Sequence, residues 1–309
     1  MTREIPLIFN FLAVLIFSLP AQAAPPRVAI LGDSITFDGR WVTRVDAALR
    51  STPEFADAEI VNFGLGSETV SGLSEPNHAN GEFPRPCLFE RLDRILDAYQ
   101  PTLVLACYGM NDGIYLPPDK LRFKAYRDGI EKLKATVEKR GAQIIFITPP
   151  LHDADHPSQD QNRYDLVLEF YRYYLATRPI PGWQVIDIRP DLRTAVAAEK
   201  ASNPEFIYAK DKVHPGEEGH RFIADSITRQ LWPILKLTGL PKIPNADALT
   251  ILRRRNELLK LAWLTKTRHI RPGVPAGLPL DQADAQAAEL MKSYQKCVTA
   301  ASAVNGNSN

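Results

Sequence analysis

Ser34, Asp211 and His214 have the types and spacing for acyl transfer through a serine. Ser34 follows Gly32 and Asp33 where the apolar run Val28–Leu31 breaks off, inside the stretch RVAILGDSITFDGRW of residues 27–41. A hydroxyl residue at such a break is either a helix N-cap, a position that favours Ser and Asp, or a nucleophile. A nucleophilic serine needs a base to take its proton, a group to orient that base, and donors for the oxyanion. Asp211 and His214, three residues apart and followed by Pro215, suit the base and its orienting carboxylate. Across one turn of chain the carboxylate reaches one ring nitrogen and leaves the other free. The plainer readings are a solvated turn carboxylate for Asp211 and a helix-flanking histidine for His214. Asn111, in Gly109-Met110-Asn111-Asp112, is either ordinary turn chemistry or a side-chain amide able to donate to a tetrahedral oxyanion.

These residues need a frame, and the hydrophobic pattern supplies one. Short apolar runs at 28–31, 59–63, 103–107, 143–148 and 184–188 read as strands. Between them, stretches with apolar residues at helical spacing cover 40–50, 88–99, 121–139, 164–177, 192–200 and 217–235. Buried strands alternating with amphipathic helices predict an α/β fold, a three-layer α/β/α sandwich around a parallel sheet. Ser34, the segment 64–69, Asn111 and His214 all follow strands, so they fall on one edge of that sheet, where ligands of open α/β sheets bind. The segment 71–86, rich in Pro, Gly, Asn and Ser and containing His78, is a long loop of the kind that is usually functional or disordered. Tyr108, Met110 and Tyr115 read first as loop anchoring and core filling, the other reading being that with this loop they supply sugar-stacking and acyl-pocket surface.

Other chemistries lack their motifs. There is no Gly-x-Ser-x-Gly elbow, no His-Glu-x-x-His or Cys/His cluster for zinc, and no Walker-type phosphate loop. His152 and His156, with Asp153 and Asp155, stand between Pro149-Pro150 and Pro157, so this stretch reads as a polar loop and no metal is expected. A net charge of +1 over 309 residues gives no argument for nucleic acid or an anionic membrane as partner.

Gly32-Asp33-Ser34, Asn62-x-Gly64, Gly109-x-Asn111-Asp112 and Asp211-x-x-His214, in this order, resemble the four blocks of the SGNH hydrolases (GDSL esterases and lipases) over about residues 27–235. The resemblance implies a flavodoxin-like sheet and a cofactor-free esterase. It implies Ser34 as nucleophile, His214 as base, Asp211 as its orienting carboxylate, and Asp33 as structural. It also implies an oxyanion hole made by the Ser34 backbone N–H, the Asn111 amide and a backbone N–H from the second block. The family's glycine five residues after the asparagine is here Ser67, one residue after Gly66. Ser67, aligned through Glu68-Thr69, is favoured over Gly66, provided its backbone angle is not one reserved for glycine. Family members cut acetyl-carbohydrate, lipid and thioester bonds, so the fold does not select a substrate. The expected activity is O-deacetylation of a polysaccharide or its oligosaccharides. A lipid esterase or lysophospholipase, or a glycan-binding protein without turnover, are the alternatives.

Residues 1–23 read as a secretory signal peptide: Arg3, an apolar core over 5–19, and Ala21-Gln22-Ala23 as cleavage site. Cleavage removes Arg3 and Glu4, leaves the net charge at +1, and gives an exported protein without a stable membrane anchor. Residues 24–240 are expected to form the hydrolase domain, with 241–309 a C-terminal helical extension packed on it. In that extension the Arg253–Arg255 run reads as a solvated basic face, an oligomerisation helix being the other reading. Oligomeric state is not fixed by the sequence. Cys107 is expected to be a buried small hydrophobe, and Cys87 with Cys297 is the one pairing worth considering among three cysteines.

Overall fold

Val28, Ala29, Ile30 and Leu31 are all fully buried, which a continuous apolar run achieves only in a strand covered on both faces. The computed structural model describes residues 24–152, 163–178 and 180–306, with 301–306 described by backbone alone. Residues 1–23, expected to be a signal peptide, and Asp153, Asp155, His156 and Pro157 lie outside the described residues. Strands β1 (Arg27–Gly32), β2 (Glu59–Asn62), β3 (Leu103–Cys107), β4 (Gln143–Ile147) and β5 (Gln184–Ile186) form one sheet in the order β2-β1-β3-β4-β5. Every pairing is parallel, with Gly32 opposite Cys107. The chain leaves β1 for β2 on one side and returns to β3 on the other. The carboxyl ends of β1 and β3 therefore flank the topological switch point, the crevice where such sheets bind ligands.

Helices cover both faces. On one lie α2 (Arg40–Arg50), α6 (Arg189–Ser202) and α7 (Glu217–Leu235), with α7 packed against the other two. Right-handed crossovers carry α3 (Leu92–Tyr99), α4 (Lys120–Lys139) and α5 (Tyr164–Ala176) to the opposite face, where α4 and α5 pack together. The short α1 (Ser34–Asp38) sits directly at the end of β1. The helix expected over 88–99 is interrupted. Leu88–Glu90 is a 3-10 turn, and Arg91, at φ −129°, breaks the ladder because its side chain turns into the interior. The long loop holds a second 3-10 turn at His78–Gly81. The last strand stops at Ile186 because the next backbone N–H groups go to side chains, Asp187 to Gln230 and Ile188 to Thr148.

Beyond α7, α8 (Ala246–Lys266) packs on α2 and β2 and pairs with α9 (Leu280–Gly306). Leu252, Leu259, Ala262 and Trp263 are buried. The Trp263 ring meets Phe63 and Tyr99 edge-on, with centroids 5.7 and 5.1 Å apart. The basic run is split: Arg253 and Arg254 face solvent, whereas Arg255 is buried and donates to the Ile60 carbonyl of β2. Arg255 is there because Asn256 beside it pairs with Asp46 of α2, turning this side of the helix inward. All three cysteines are free thiols, so Cys87 and Cys297 are not bridged, and Cys107 is buried as expected. Among the described residues no helix is long and apolar enough to cross a membrane.

Gly129 of α4 lets that helix touch the backbone that follows β2, since a Cβ there would stand 2.1 Å from the Val70 carbonyl oxygen. Gly129→Ala should therefore destabilise the fold by about 2 kcal/mol despite the better helix propensity of alanine. Urea denaturation checks this; a variant as stable as the parent would contradict the close approach.

Candidate active site

Ser34 is the first residue of α1, but Asp33 is the N-cap, accepting from the Ile35 N–H at 3.0 Å. With the cap filled by its neighbour, the Ser34 hydroxyl is free to face elsewhere, and its Oγ lies 2.7 Å from His214 Nε2. As a first-turn residue, Ser34 also carries a backbone N–H without an intrahelical acceptor. The strand-to-helix bend is tight: a Cβ on Gly32 would stand 2.1 Å from Thr36 Oγ1 and 2.8 Å from the Cys107 carbonyl.

His214 and Asp211 share a turn between α6 and α7. Asp211 Oδ1 accepts from the backbone N–H groups of Val213 (3.0 Å) and His214 (2.8 Å), while Oδ2 accepts from His214 Nδ1 at 2.6 Å. One carboxylate thus closes the turn and orients the ring. Partial burial pushes the Asp211 carboxyl up. The His214 ring N–H and the two backbone donors outweigh it and hold the group below the usual carboxylate range. Arg40, paired with Asp38, donates to the Pro215 carbonyl at 3.3 Å, tying this turn to the α1–α2 junction.

The second block forms a turn closed by Glu68 N–H to the Leu65 carbonyl at 3.3 Å. Asn62 anchors it, accepting from Gly64 N–H and donating to the Thr36 carbonyl. Ser67 has φ +65°, the left-handed region that costs an L-residue about 1–2 kcal/mol. The backbone angle is thus one that favours glycine, contrary to the condition set for this position, and serine adopts it nonetheless. Neither Gly66 N–H nor Ser67 N–H donates to an acceptor among the described residues. Buried Asn111 lies beside this turn, its Nδ2 donating to the Glu68 carbonyl at 3.2 Å. Asp112, next to it, accepts from Val70 and Ser71 N–H at 2.9 and 2.7 Å.

Two buried carboxyls under the site are displaced upward. Burial lifts Asp33 to about 7 against its bond from Ile35, with the field of Asp112 adding to the rise. Burial likewise lifts Asp112 to about 6 against the Ser71 and Val70 bonds. Asp33 accepts the capping bond from Ile35, and no hydrogen bond joins it to His214 among the described residues.

Several contributors carry no sequence motif. Arg85, from the long loop, donates to Asn111 Oδ1 at 2.9 Å. Lys260 of α8 donates to the Phe37 carbonyl at 2.6 Å, with its ammonium 3.7 Å from the Phe37 ring centre, and so supports the end of α1. Arg271, after α8, lies across Gly66, where a Cβ would stand 2.8 Å from its Nε, and over the Phe83 ring at 5.5 Å. Of the residues weighed as core or as pocket lining, Tyr108 and Met110 are fully buried, in line with the favoured reading. They fill core, because β3 turns inward before the loop surfaces at Tyr115, which is half-buried.

Residues 30–222 match the sequence profile of the GDSL-like lipase/acylhydrolase family. No curated protein matches the chain. Among solved structures, the chain is similar to a gut microbial diltiazem-metabolizing enzyme, with TM-score 0.54 and 18% identity, covering 66% of this chain and 46% of that one. The chain thus spans under half the length of that protein. It is also similar to a substituted variant of an acetyl-xylooligosaccharide esterase from Geobacillus stearothermophilus, with TM-score 0.50, 20% identity, and 67% and 94% of the two chains covered. A lipase/acylhydrolase from Enterococcus faecalis gives TM-score 0.48 at 18% identity over 70% and 98%. At these identities the likeness is one of fold.

Ser67→Gly should remove the left-handed strain and raise stability by about 1 kcal/mol while keeping the backbone N–H. The melting temperature reads this, and an unchanged or lower value would contradict the strain. For Asp112, the folded carboxyl stays protonated up to about pH 6, whereas in the unfolded chain it ionises near pH 4. Folding then binds a proton in this window, so stability falls as pH rises from about 4 to 6, by on the order of 2 kcal/mol. Asp112→Asn, whose Oδ1 can still accept from Val70 and Ser71, should make the fall between pH 4.5 and 7.5 shallower in urea denaturation, the Asp33 carboxyl supplying the remaining slope of the same sign.

Proposed function

From the premise that the chain belongs to the GDSL-like lipase/acylhydrolase family, whose members cleave ester bonds, we propose an exported serine esterase that removes short acyl groups, chiefly O-acetyl, from carbohydrate. The observation that carries this reading is the continuous chain Ser34 Oγ–His214 Nε2, 2.7 Å, and His214 Nδ1–Asp211 Oδ2, 2.6 Å, at the switch point of the sheet.

Ser34 Oγ attacks the ester carbonyl carbon while His214 Nε2 takes its proton. The imidazolium that results is stabilised by Asp211, already held in line by two backbone donors. The carbonyl oxygen becomes an oxyanion that accepts from the backbone N–H groups of Ser34 and Ser67 (or Gly66) and from Asn111 Nδ2. Collapse breaks the bond to the alcohol oxygen, which leaves with the proton from His214. Water then attacks acyl-Ser34 with His214 again as base, releasing the acid and restoring the hydroxyl. Every step is an acyl or proton transfer, and none calls on a metal or organic cofactor.

Substrate class rests on the rim. The long loop 71–86 exposes no large hydrophobic side chain, which suits a polar alcohol portion and a short acyl group over a lipid chain. The likeness to an acetyl-xylooligosaccharide esterase points the same way. Export rests on the signal-peptide pattern of residues 1–23.

Acid release from acetylated xylan, acetylated pectin and p-nitrophenyl esters of graded chain length tests the reading. Acetate-selective release is expected, with Ser34→Ala and His214→Ala each costing several orders of magnitude in rate. Preference for long chains would move the substrate to lipids. Absence of any cleavage would leave a glycan-binding protein.

A further inference from the structure

We propose that Arg85 is a positioning residue for the oxyanion hole, fixing and polarising the Asn111 amide; the inference rests on the Ser34 esterase reading above. Asn111 Oδ1 accepts from two donors, Arg85 Nη1 at 2.9 Å and the Tyr115 hydroxyl at 3.2 Å. On the other side Nδ2 donates one hydrogen to the Glu68 carbonyl at 3.2 Å. These three partners decide which end of the amide is which. Rotated by half a turn, the NH2 group would face a guanidinium and lose its carbonyl acceptor. The second Nδ2 hydrogen is left for the oxyanion.

Arg85 is itself immobilised. Its side chain is only 5% exposed, Glu75 grips it through Nε–Oε2 at 2.7 Å and Nη2–Oε1 at 2.6 Å, and its plane lies 5.2 Å above the Tyr115 ring. Its backbone N–H is held by Ser74 Oγ. With two of its nitrogens spent on Glu75, a third is aimed at the amide oxygen. A cation bonded to that oxygen draws electron density from the amide nitrogen and makes the remaining N–H a stronger donor. The gain grows with the negative charge on the substrate oxygen. It is therefore larger in the transition state than in the bound ester, and belongs to kcat and not KM.

A loop-anchoring role alone would read differently. Arg85 would then contribute through Glu75 and Ser74 to stability and substrate affinity, independently of Asn111. A double-mutant cycle separates the two. Arg85→Met should lower kcat for p-nitrophenyl acetate about tenfold with KM within about twofold. Asn111→Ala should cost about 100-fold, and the double variant should be no slower than Asn111→Ala alone. Arg85→Gln, which keeps a donor but no charge, takes the place of Arg85→Met in the cycle if the latter fails to melt cooperatively. Equal losses from the Arg85 substitution with and without Asn111, or a loss confined to KM, would overturn the inference and leave the esterase reading intact. Turnover that survives Ser34→Ala would overturn that reading, and the inference with it.

Discussion

A carboxylate and a guanidinium meet in the interior of this protein, and the loops around Ser34 are spaced by their meeting. Glu68 and Arg91, with side chains 0% and 2% exposed, form a two-point pair at 2.6 and 2.7 Å. Tyr108 donates to the same carboxylate, and Arg91 donates its remaining reach to the Phe63 carbonyl. Three segments converge on the pair: the turn after β2, the start of α3 and the end of β3. The Glu68 carbonyl in turn receives the Asn111 amide. Loss of either charge would strand the other in a dry interior, at a cost of about 3–5 kcal/mol. The separation of the Ser67 and Asn111 loops is thus set by an ion pair that itself has no chemistry to perform.

The site is assembled from distant parts of the chain on a rigid edge. Ser34 and His214 are 180 residues apart and are brought together because β1 is an interior strand and α7 packs on α2, just after the helix that Ser34 begins. Asp211 needs no such help, since its turn with His214 is local. This division explains the different supports. His214 and Asp211 orient each other, whereas Ser67 and Asn111 depend on the sheet, the buried pair and the long loop.

The same division separates what the sequence made legible from what it hid. Buried parallel strands appear as apolar runs because both faces are covered, so all five strands and their helices could be read to within a few residues. Asp211 and His214 were legible because three residues of spacing encode their geometry. Arg91 was not, for within 88–99 it reads as one more charged residue on a helix, and charged residues lie outside by default. Its burial becomes visible only with Glu68 opposite it. Arg85 stands 26 residues from Asn111 in a loop whose path no periodicity records. Ser67 concealed its backbone angle because the glycine that would have announced it is absent. Arg255 sits in a run of three arginines, and only the helix's rotation, fixed by Asn256 and Asp46, distinguishes it from its neighbours.

The ammonium of Lys260 that closes off the Phe37 carbonyl has a consequence in time as well as space. The two residues are 223 positions apart, and synthesis runs from the N-terminus. The segment carrying Ser34 therefore emerges well before the residue that supports the end of its helix. Sheet and helices can collapse earlier, but until α8 is made the Phe37 carbonyl lacks the Lys260 ammonium, and Gly66 lacks its cover from Arg271. The native setting of Ser34 is therefore completed only after α8 and Arg271 have followed it out of the ribosome.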